Sequence, residues 1–301
     1  MTPPFIGWEA EPKLDWLALT RAIAAGHNRP KAETGDTFLY RSPDTLLSRA
    51  AWIDGLGVLV KSATVFPGNP AHGLPSIAGA VSVFEDKTGQ LEALLDFALL
   101  TKWKTAGDSL LGALRLARPD SKKILILGAG TVATNLIQSY GAGFPDAEFT
   151  VWARDFAKAK AFASEHGIAA AQSLKDAVPE ADIITSATMT TAPILSGDWL
   201  RPGQHVDLIG AYRPDMREVD DTALRRAEIF VDNRATTIGH IGEIEIPLSQ
   251  GVIALSDIRA DFYDGEIMKR SGPETITLFK NGGGAHLDLM SARYILDACR
   301  R

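Results

Sequence analysis

The sequence predicts an α/β protein of two domains, with a parallel sheet in the middle of the chain. The chain has 301 residues, more than one ordinary α/β unit needs. Short all-apolar runs, such as residues 124–127, alternate with segments of helical spacing, which is typical of strands buried on both faces of a parallel sheet. Before residue 100, strand patterns come in pairs joined by turns, which indicates an antiparallel sheet.

Composition and charge describe an ordinary globular protein. Hydrophobic residues make up 46% and charged residues 23% of the chain. A net charge of −6 argues against a nucleic-acid partner or a membrane-surface role. Cys299 is the one cysteine, so an internal disulfide and a thiolate metal cluster are excluded. We find no signal-peptide pattern and no apolar run long enough to span a bilayer, and we therefore expect a cytoplasmic protein.

The first part of the chain predicts a helix followed by a curved antiparallel sheet. The helical spacing covers residues 14–25 and ends at a Gly- and Pro-containing breaker. Strands are expected at residues 37–41, 45–52, 57–65, 78–84 and 90–97. A second helix is expected to begin at Thr101 and to run to Arg118. Lys104 would then lie in its first turn, where the helix dipole disfavours a cation unless an anion pairs with it.

A glycine motif joins the first all-apolar strand to a helix. Gly128 allows a tight turn, Gly130 lets the backbone approach a pyrophosphate, and Ala133 keeps helix and strand close. A helix N-terminus also presents free N–H groups to phosphates. The whole motif is the G-x-G-x-x-A form of the Rossmann dinucleotide fingerprint, and its residues are Gly128, Ala129, Gly130, Thr131, Val132 and Ala133.

The end of the second strand indicates which nicotinamide dinucleotide is preferred. The strand at residues 148–152 is followed by Ala153 and Arg154, where an NAD site usually has an acidic residue. Arg154 can pair with a 2′-phosphate, which favours NADPH. Two alternatives stay open. Asp155 comes next and could serve NADH, and Arg154 could be only a solvated loop residue.

Further buried strands are expected at residues 181–188, 205–210 and 228–232. Ligands of such sheets bind outside the carboxyl ends of the strands, so Thr188 and the turn of Gly210, Ala211 and Tyr212 are candidate site residues. After Thr236 the alternation stops. A strand at residues 275–280 then precedes three glycines and a helix at residues 287–298, and the glycines indicate close backbone approach to a ligand or to a neighbouring strand.

The order of these motifs resembles the ornithine cyclodeaminase/μ-crystallin family over nearly the whole chain. The segments that carry the resemblance are Lys61 with Phe66-Pro67-Gly68-Asn69, Gly73-Leu74-Pro75, Thr101-Lys102-Trp103-Lys104-Thr105-Ala106, Gly128-Ala129-Gly130, Gly210 through Pro214 to Glu218, and Thr277-Leu278-Phe279-Lys280-Asn281-Gly282. The resemblance implies a Rossmann doubly wound parallel sheet inserted into a second, α+β substrate and dimerisation domain built from both chain ends. We therefore predict the substrate domain at residues 1–117 and 237–301, the NAD(P)-binding domain at residues 118–236, and a homodimer.

The resemblance also implies roles for single residues. Lys61 matches the lysine that contacts the substrate, and Arg41 matches the arginine that holds the substrate carboxylate. Arg49 on the adjacent strand could take that second role instead. Positions near the cofactor are matched by Ser76, Thr131, Val132 and Thr188, and the loop that closes over nicotinamide and substrate is matched by Asn281 and Gly282.

Two departures from the family pattern indicate a branch. Lys104 stands where the family usually has Arg, which keeps a cation but loses the bidentate fork. Tyr212 stands where the cyclodeaminase has the Asp that handles the ornithine amino group. The chain is therefore most similar to the branch that reduces Δ1-pyrroline-2-carboxylate or Δ1-piperideine-2-carboxylate to proline or pipecolate.

The residues suit such a reaction. A cyclic imino acid needs a cationic clamp, for which Arg41 and Lys104 are candidates, and a donor to the ring nitrogen, for which Lys61 is the candidate. Tyr212 could donate a hydrogen bond or simply fill space. The alternatives are an NAD-dependent cyclodeaminase or amino-acid dehydrogenase, and a non-catalytic NADPH-dependent binding protein.

Other polar residues are interpreted as structural. No metal site is expected, because the histidines lack ligand spacing. Glu243 and Glu245 are expected in a solvated or hinge segment, and Asp288 at the start of a helix.

Overall fold

The computed structural model describes residues 2–300, which form two compact units. One consists of residues 2–104 and 284–300, and the other is Thr105–Gly283. The first unit is thus built from both ends of the chain. None of the helices in the described part of the chain is long and apolar enough to cross a membrane.

The first unit contains a six-stranded sheet and the helices that cover it. Its strands are β1 (Phe5–Ile6), β2 (Glu33–Arg41), β3 (Asp44–Ile53), β4 (Gly57–Val65), β5 (Ile77–Phe84) and β6 (Leu91–Asp96), in the spatial order β1-β6-β5-β4-β3-β2. All neighbouring pairs are antiparallel except β1 with β6. The helices are α1 (Trp16–His27), the start of α2 (Phe97–Leu116) and α9 (Ala285–Arg300). The predicted antiparallel sheet is therefore present, and β4 has the predicted bounds.

Two helix starts are set by carboxylates. The Asp15 side chain accepts a hydrogen bond from Ala18 N at 2.7 Å, so α1 begins at Trp16. The Asp96 side chain accepts from Leu99 N at 2.8 Å, and α2 begins at Phe97 instead of the predicted Thr101. Lys104 therefore does not lie in the first turn, and the expected conflict with the helix dipole is absent.

The second unit contains an eight-stranded parallel sheet. Its strands are β7 (Lys123–Leu127), β8 (Glu148–Trp152), β9 (Ala169–Ala170), β10 (Ile183–Ser186), β11 (His205–Leu208), β12 (Ala227–Val231), β13 (Ile258–Ala260) and β14 (Ile276–Lys280), in the spatial order β13-β12-β14-β11-β10-β7-β8-β9. Its helices, besides the end of α2, are α3 (Thr131–Gly143), α4 (Phe156–His166), α5 (Leu174–Ala177), α6 (Asp221–Arg226), α7 (Arg234–Thr237) and α8 (Gly242–Ser249). This is the predicted α/β class with a doubly wound parallel sheet.

The strand β14 belongs to the parallel sheet, although the sequence analysis assigned it to the substrate domain. It inserts between β11 and β12 and pairs in parallel with both. Its five residues are all buried, as expected for a strand covered on both faces. The boundaries between the two compact units therefore fall at residues 104/105 and 283/284 of the sequence. The sequence patterns had predicted boundaries at 117/118 and 236/237. The alternation of strand and helix that ends after Thr236 does not mark the end of the sheet.

Candidate active site

Lys61, the candidate proton donor to the substrate, lies inside the sheet of the first unit. It is on β4, which is flanked by β3 and β5, and only 8% of the residue is exposed. Its Nζ donates to Asp288 Oδ1 at 3.0 Å and to Thr101 Oγ1 at 3.0 Å. An ammonium has three N–H donors, so one remains for a further acceptor. Burial lowers the pKa of Lys61, the Asp288 carboxylate raises it, and Lys104 and Arg49 lower it further.

Three cationic side chains, those of Lys61, Arg49 and Lys104, lie close enough in this unit to interact electrostatically. Lys104 is 8% exposed and makes no ion pair or hydrogen bond among residues 2–300. Burial first, and then His27, Lys104 and Arg49, hold the pKa of His286 well below its usual range. The other two cations, Lys61 and Arg49, each have a carboxylate partner, so Lys104 is the buried cation without a compensating anion among the described residues, which is unfavourable. The first unit therefore offers a place for an anionic ligand.

The strand register distinguishes the two candidate arginines. Arg49 on β3 pairs directly with Lys61 on β4, so both side chains leave the sheet on the same face. Arg41 on β2 pairs with Asp44, five residues along β3 from Arg49, and therefore points to the opposite face. Arg41 is also ion-paired with Asp44 at 2.6 Å, and 77% of its side chain is exposed. The structure does not bring Arg41 to Lys61.

Asp288 is a buried partner of Lys61, which the sequence analysis missed. We expected a helix-start residue, and Asp288 does lie in the first turn of α9. However, it is 1% exposed and forms the ion pair with Lys61. No spacing signal connects two residues so far apart in the chain, and only the packing of α9 on β3 and β4 reveals the pair.

In the second unit, the glycine loop has the geometry of a phosphate site. Gly128 has a φ of +109°, and a Cβ there would lie 3.0 Å from Ala187 O. Gly130 is the N-cap of α3, and no side chain among residues 2–300 caps this helix. A Cβ at Gly130 would meet nothing within 4 Å in that part of the chain. Uncapped N–H groups beside open space fit the pyrophosphate of a dinucleotide. Thr131 and Val132 follow in the first turn, and Ala133 is buried beneath it.

The two charged residues that follow β8, Arg154 and Asp155, differ in whether other protein groups bind their side chains. Asp155 is the N-cap of α4, and its Oδ1 accepts from Ala157 N at 3.0 Å. Arg154 is exposed and makes no ion pair among the residues that the structure describes. The carboxylate is therefore occupied by a helix terminus, whereas the guanidinium is available to an anion.

One buried carboxylate connects the loops after β10 and β11. Glu218 is 0% exposed and accepts five hydrogen bonds, from Ser186 Oγ, Thr188 N, Thr188 Oγ1, Gly210 N and Ala211 N, at 2.5–3.1 Å. Both candidate cofactor loops are thus held by one side chain. Glu218 stands at the end of the family segment, but the sequence analysis assigned it no role.

Glu243 corrects a prediction of the sequence analysis. It is fully buried instead of solvated, and its carboxylate accepts from Glu218 N at 2.6 Å and Val219 N at 3.2 Å. Burial and the adjacent Glu218 carboxylate raise the pKa of Glu243 to about 7. Glu243 therefore supports the backbone that carries Glu218.

Asn281 belongs to a second buried network. Its Nδ2 donates to Thr105 O at 3.2 Å and to Ser109 Oγ at 2.9 Å. Ser109 in turn donates to Asp207, which also accepts from Tyr140 and Thr185. Asp207 is fully buried, and burial raises its pKa to about 6. A lone acidic residue inside an apolar strand was the available sequence signal for this network.

Gly282 is held by the protein itself. Its N–H donates to Asp232 Oδ2 at 3.0 Å, and Gly283 N donates to the same oxygen at 2.5 Å. A Cβ at Gly282 would lie 2.4 Å from Thr237 Oγ1, so the glycine permits close approach to neighbouring protein atoms. The neighbour is the helix α7 and not the strand that the sequence suggested, and close approach to a ligand stays a prediction.

The two remaining candidates lie on loops. Tyr212 is 58% exposed, with the guanidinium of Arg213 at 5.7 Å from its ring centre. Ser76 is half-buried in the first unit, and its carbonyl accepts from Phe66 N. Among residues 2–300, no group of three His, Cys, Asp or Glu side chains is arranged to hold a metal ion.

A family model described as the ornithine cyclodeaminase/mu-crystallin family matches residues 54–301 of the chain. The chain belongs to this family. The Δ1-pyrroline-2-carboxylate reductase of Paracoccus denitrificans is 47% identical over an alignment of 303 residues. The alignment covers 97% of this chain and 96% of that protein. The resemblance inferred from the motifs is thereby confirmed.

Two solved structures of similar fold carry ligand descriptions. Thermococcus litoralis Δ1-pyrroline-2-carboxylate reductase, described in complex with NADH and L-proline, has a TM-score of 0.88 and 25% identity, covering 98% of this chain and 97% of that chain. An archaeal alanine dehydrogenase dimer with bound NAD has a TM-score of 0.89 and 26% identity, covering 100% of this chain and 97% of that chain. Both of these structures therefore share the fold of this chain.

Proposed function

We propose that the protein reduces cyclic imino acids with a nicotinamide cofactor, converting Δ1-pyrroline-2-carboxylate to L-proline and Δ1-piperideine-2-carboxylate to L-pipecolate. The observation that carries this proposal is the buried Lys61 ammonium beside the cations Arg49 and Lys104. Among the described residues Lys61 Nζ makes two hydrogen bonds and lies 4.8 Å from the centre of the Phe97 ring, so a third N–H remains for a further acceptor. This arrangement suits a substrate with a carboxylate and a basic ring nitrogen. The names of the relatives described above support the same reaction.

The residues of the first unit divide the task. Arg49 and Lys104 hold the substrate carboxylate, and the third N–H of Lys61 donates to the ring nitrogen, which gains a proton as the C=N bond becomes C–N. A lysine whose pKa is lowered by burial is a better acid near neutral pH than an ordinary lysine. Positioning of the imine by these cations supplies a further part of the barrier reduction. When bound, the reduced nicotinamide supplies the hydride that the imine carbon accepts.

The cofactor contacts belong to the second unit. Gly128, Ala129 and Gly130 with the first turn of α3 hold the pyrophosphate, and Thr188, Gly210 and Ala211 border the nicotinamide from the loops that Glu218 connects. Arg154 pairs with a 2′-phosphate, so NADPH is preferred and NADH is a weaker substitute. This preference is supported by Asp155, because its carboxylate caps the N-terminus of α4 and is therefore less available to the ribose hydroxyl of NADH.

The enzyme is proposed to act in the cytoplasm as a homodimer that associates through the first unit. The edge strand β2 exposes Phe38, Leu39 and Tyr40 to extents of 46%, 60% and 75%, and such an apolar edge is normally covered. Phe38→Asp should yield monomers in size-exclusion chromatography with light scattering, whereas Leu255→Asp, at an exposed site of the second unit, should not. A Phe38→Asp protein of unchanged mass would contradict association through β2.

Two alternatives make different predictions. An NAD-dependent cyclodeaminase or amino-acid dehydrogenase would use an Asp at the position of Tyr212, and Tyr212 is here an exposed phenol. A non-catalytic binding protein would gain nothing from a buried lysine with a free N–H. The archaeal alanine dehydrogenase nevertheless shares the fold, so the dehydrogenase must be tested directly.

The decisive experiment compares opposing assays on the purified protein. Initial rates of nicotinamide oxidation are measured with Δ1-pyrroline-2-carboxylate and either NADPH or NADH, alongside L-ornithine or L-alanine with NAD. Imine-dependent oxidation that Lys61→Met lowers by at least about 100-fold supports the proposal. The control is Lys102→Met. It removes a lysine of α2 that pairs with Glu11 and has no proposed role in the reaction, so this variant should retain activity. Turnover of ornithine or alanine alone, or cofactor binding without turnover, would reject the reductase.

A further inference from the structure

The partner of Lys61 comes from the other end of the chain. Asp288 in α9 and Lys61 in β4 are 227 residues apart in sequence, and Asp288 Oδ1 accepts from Lys61 Nζ at 3.0 Å. Their side chains are 1% and 9% exposed, respectively. A pair so well shielded from solvent interacts more strongly than a surface ion pair.

The hydrogen bonds of Asp288 distinguish this pair from helix capping. A carboxylate that stabilises a helix N-terminus accepts from backbone N–H groups of the first turn. Among the described residues, no backbone N–H donates to Asp288, and its second oxygen, Oδ2, is buried without a hydrogen bond. The interaction that occupies this carboxylate is therefore the one with Lys61.

The charges around Lys61 show why a carboxylate matters there. Arg49 faces Lys61 from β3 and Lys104 from α2, while β5 contributes the uncharged Val81 opposite Lys61. From α9 come Asp288 and His286, and His286 is in edge contact with His27 of α1. From β2, Asp36 is ion-paired with Arg49 at 2.7 Å, whereas Asp288 is the anion that pairs with Lys61 itself. Without it, burial and neighbouring cations would both favour the neutral amine.

We propose that Asp288 is a positioning residue that keeps Lys61 protonated and aims its third N–H at the ring nitrogen of the substrate. Asp288 and Thr101 accept the other two N–H groups of the ammonium, so the direction of the third is set by the protein. Asp288 does not touch the substrate and acts through Lys61. The direction of the third N–H towards a ring nitrogen rests on the proposed reductase function. The effect of Asp288 on the charge of Lys61 does not, because it requires no substrate.

The first test measures Lys61 itself. Protein carrying lysine labelled with ¹³C at Cε is titrated by NMR, and the Lys61 signal is assigned by its loss in Lys61→Met. In Asp288→Asn we expect the titration midpoint of Lys61 to fall by about one pH unit or more. The control is Ser291→Ala, because Ser291 lies about one turn further along α9, is equally buried and makes no hydrogen bond at its Oγ within the described part of the chain. It should leave the midpoint unchanged. A midpoint in Asp288→Asn equal to that of the unaltered protein would overturn the proposal.

The second test uses imine reduction. The basic limb of the kcat/KM profile should move to lower pH in Asp288→Asn by the same amount as the NMR midpoint. Asp288→Glu keeps the charge but displaces the ammonium, so kcat should fall about tenfold while the midpoint stays in place, and this variant serves if Asp288→Asn does not fold. Wild-type kcat in Asp288→Glu would overturn the positioning role. A shifted NMR midpoint in a protein that reduces no imine would instead reject the reductase function and leave the Lys61–Asp288 relationship supported.

Discussion

Arg49 of β3 and Lys61 of β4 occupy directly opposite positions in the antiparallel sheet, and both side chains leave it on the same face. The guanidinium of Arg49 is held by Asp36 at 2.7 Å, in the same row on β2. A fixed arginine beside a lysine with a free N–H offers a carboxylate and a ring nitrogen separate partners. From this geometry we predict that Arg49, and not Arg41, holds the substrate carboxylate.

We predict that Arg49→Ala raises the KM for the imino acid by about 10-fold to 100-fold, because a charge-assisted hydrogen bond of about 1.5–3 kcal/mol is lost. The cofactor KM should not change. Arg41→Ala is the matched control, since Arg41 points to the opposite face and is mostly exposed. Steady-state kinetics at saturating cofactor measure both, and a large rise in KM in Arg41→Ala alone would return the clamp to Arg41.

Arg154→Ala should reduce the preference for NADPH. Loss of one guanidinium–phosphate contact is expected to lower the ratio of kcat/KM for NADPH over NADH about tenfold or more, through the NADPH value. The control is Lys158→Ala, an exposed cation on α4 close to Arg154 in the chain. An unchanged ratio would show that Arg154 is only a solvated residue.

Replacement of Glu218 by Gln should loosen both loops that the carboxylate holds. The Glu218 carboxylate accepts five hydrogen bonds through two oxygens, whereas the amide of Gln has only one oxygen that can accept. Some of the donors would be left without an acceptor, so we expect the free energy of unfolding to fall by about 3 kcal/mol. The dissociation constant of the cofactor should rise about tenfold. Urea unfolding and fluorescence titration measure the two effects. Glu245→Gln, at a half-buried position of α8 whose carboxylate accepts one hydrogen bond, from Gly239 N at 3.0 Å, should produce neither. Wild-type cofactor affinity in Glu218→Gln would contradict the role of this carboxylate in the loops.

The buried Asp207 predicts a pH dependence of stability. Burial raises its pKa from the ordinary 3.8 to about 6, so the folded protein binds this proton more tightly than the unfolded chain. The stability due to Asp207 is fully present below the unfolded pKa and is lost as the pH rises through the folded one. Relative to Asp207→Asn, the free energy of unfolding should therefore fall by about 1 kcal/mol from pH 5 to pH 7. Equal slopes for both proteins would exclude this titration.

Local sequence patterns predicted most of the fold and the candidate dinucleotide-binding loop. The fingerprint from Gly128 to Ala133 is a contiguous turn and helix start, so its geometry follows from neighbouring residues. Likewise, the apolar residues around it in the predicted strand identified Lys61 as the unusual polar residue of β4. Strand β14 was recognised as a strand but not as part of the parallel sheet, because its partners β11 and β12 are set by long-range pairing.

The tertiary structure alone decided which side chains act together. Asp288 meets Lys61 because α9 packs on β3 and β4, and no spacing rule links positions so far apart in the chain. Register placed Arg49 on the face of Lys61 and Arg41 on the other, since a one-residue difference in pairing reverses the face. The burial of Glu218 and Glu243 likewise depends on loops that fold over them. The sequence determined which chemical groups are present, and their charge states and partners depend on burial and on contacts that form only in the folded chain.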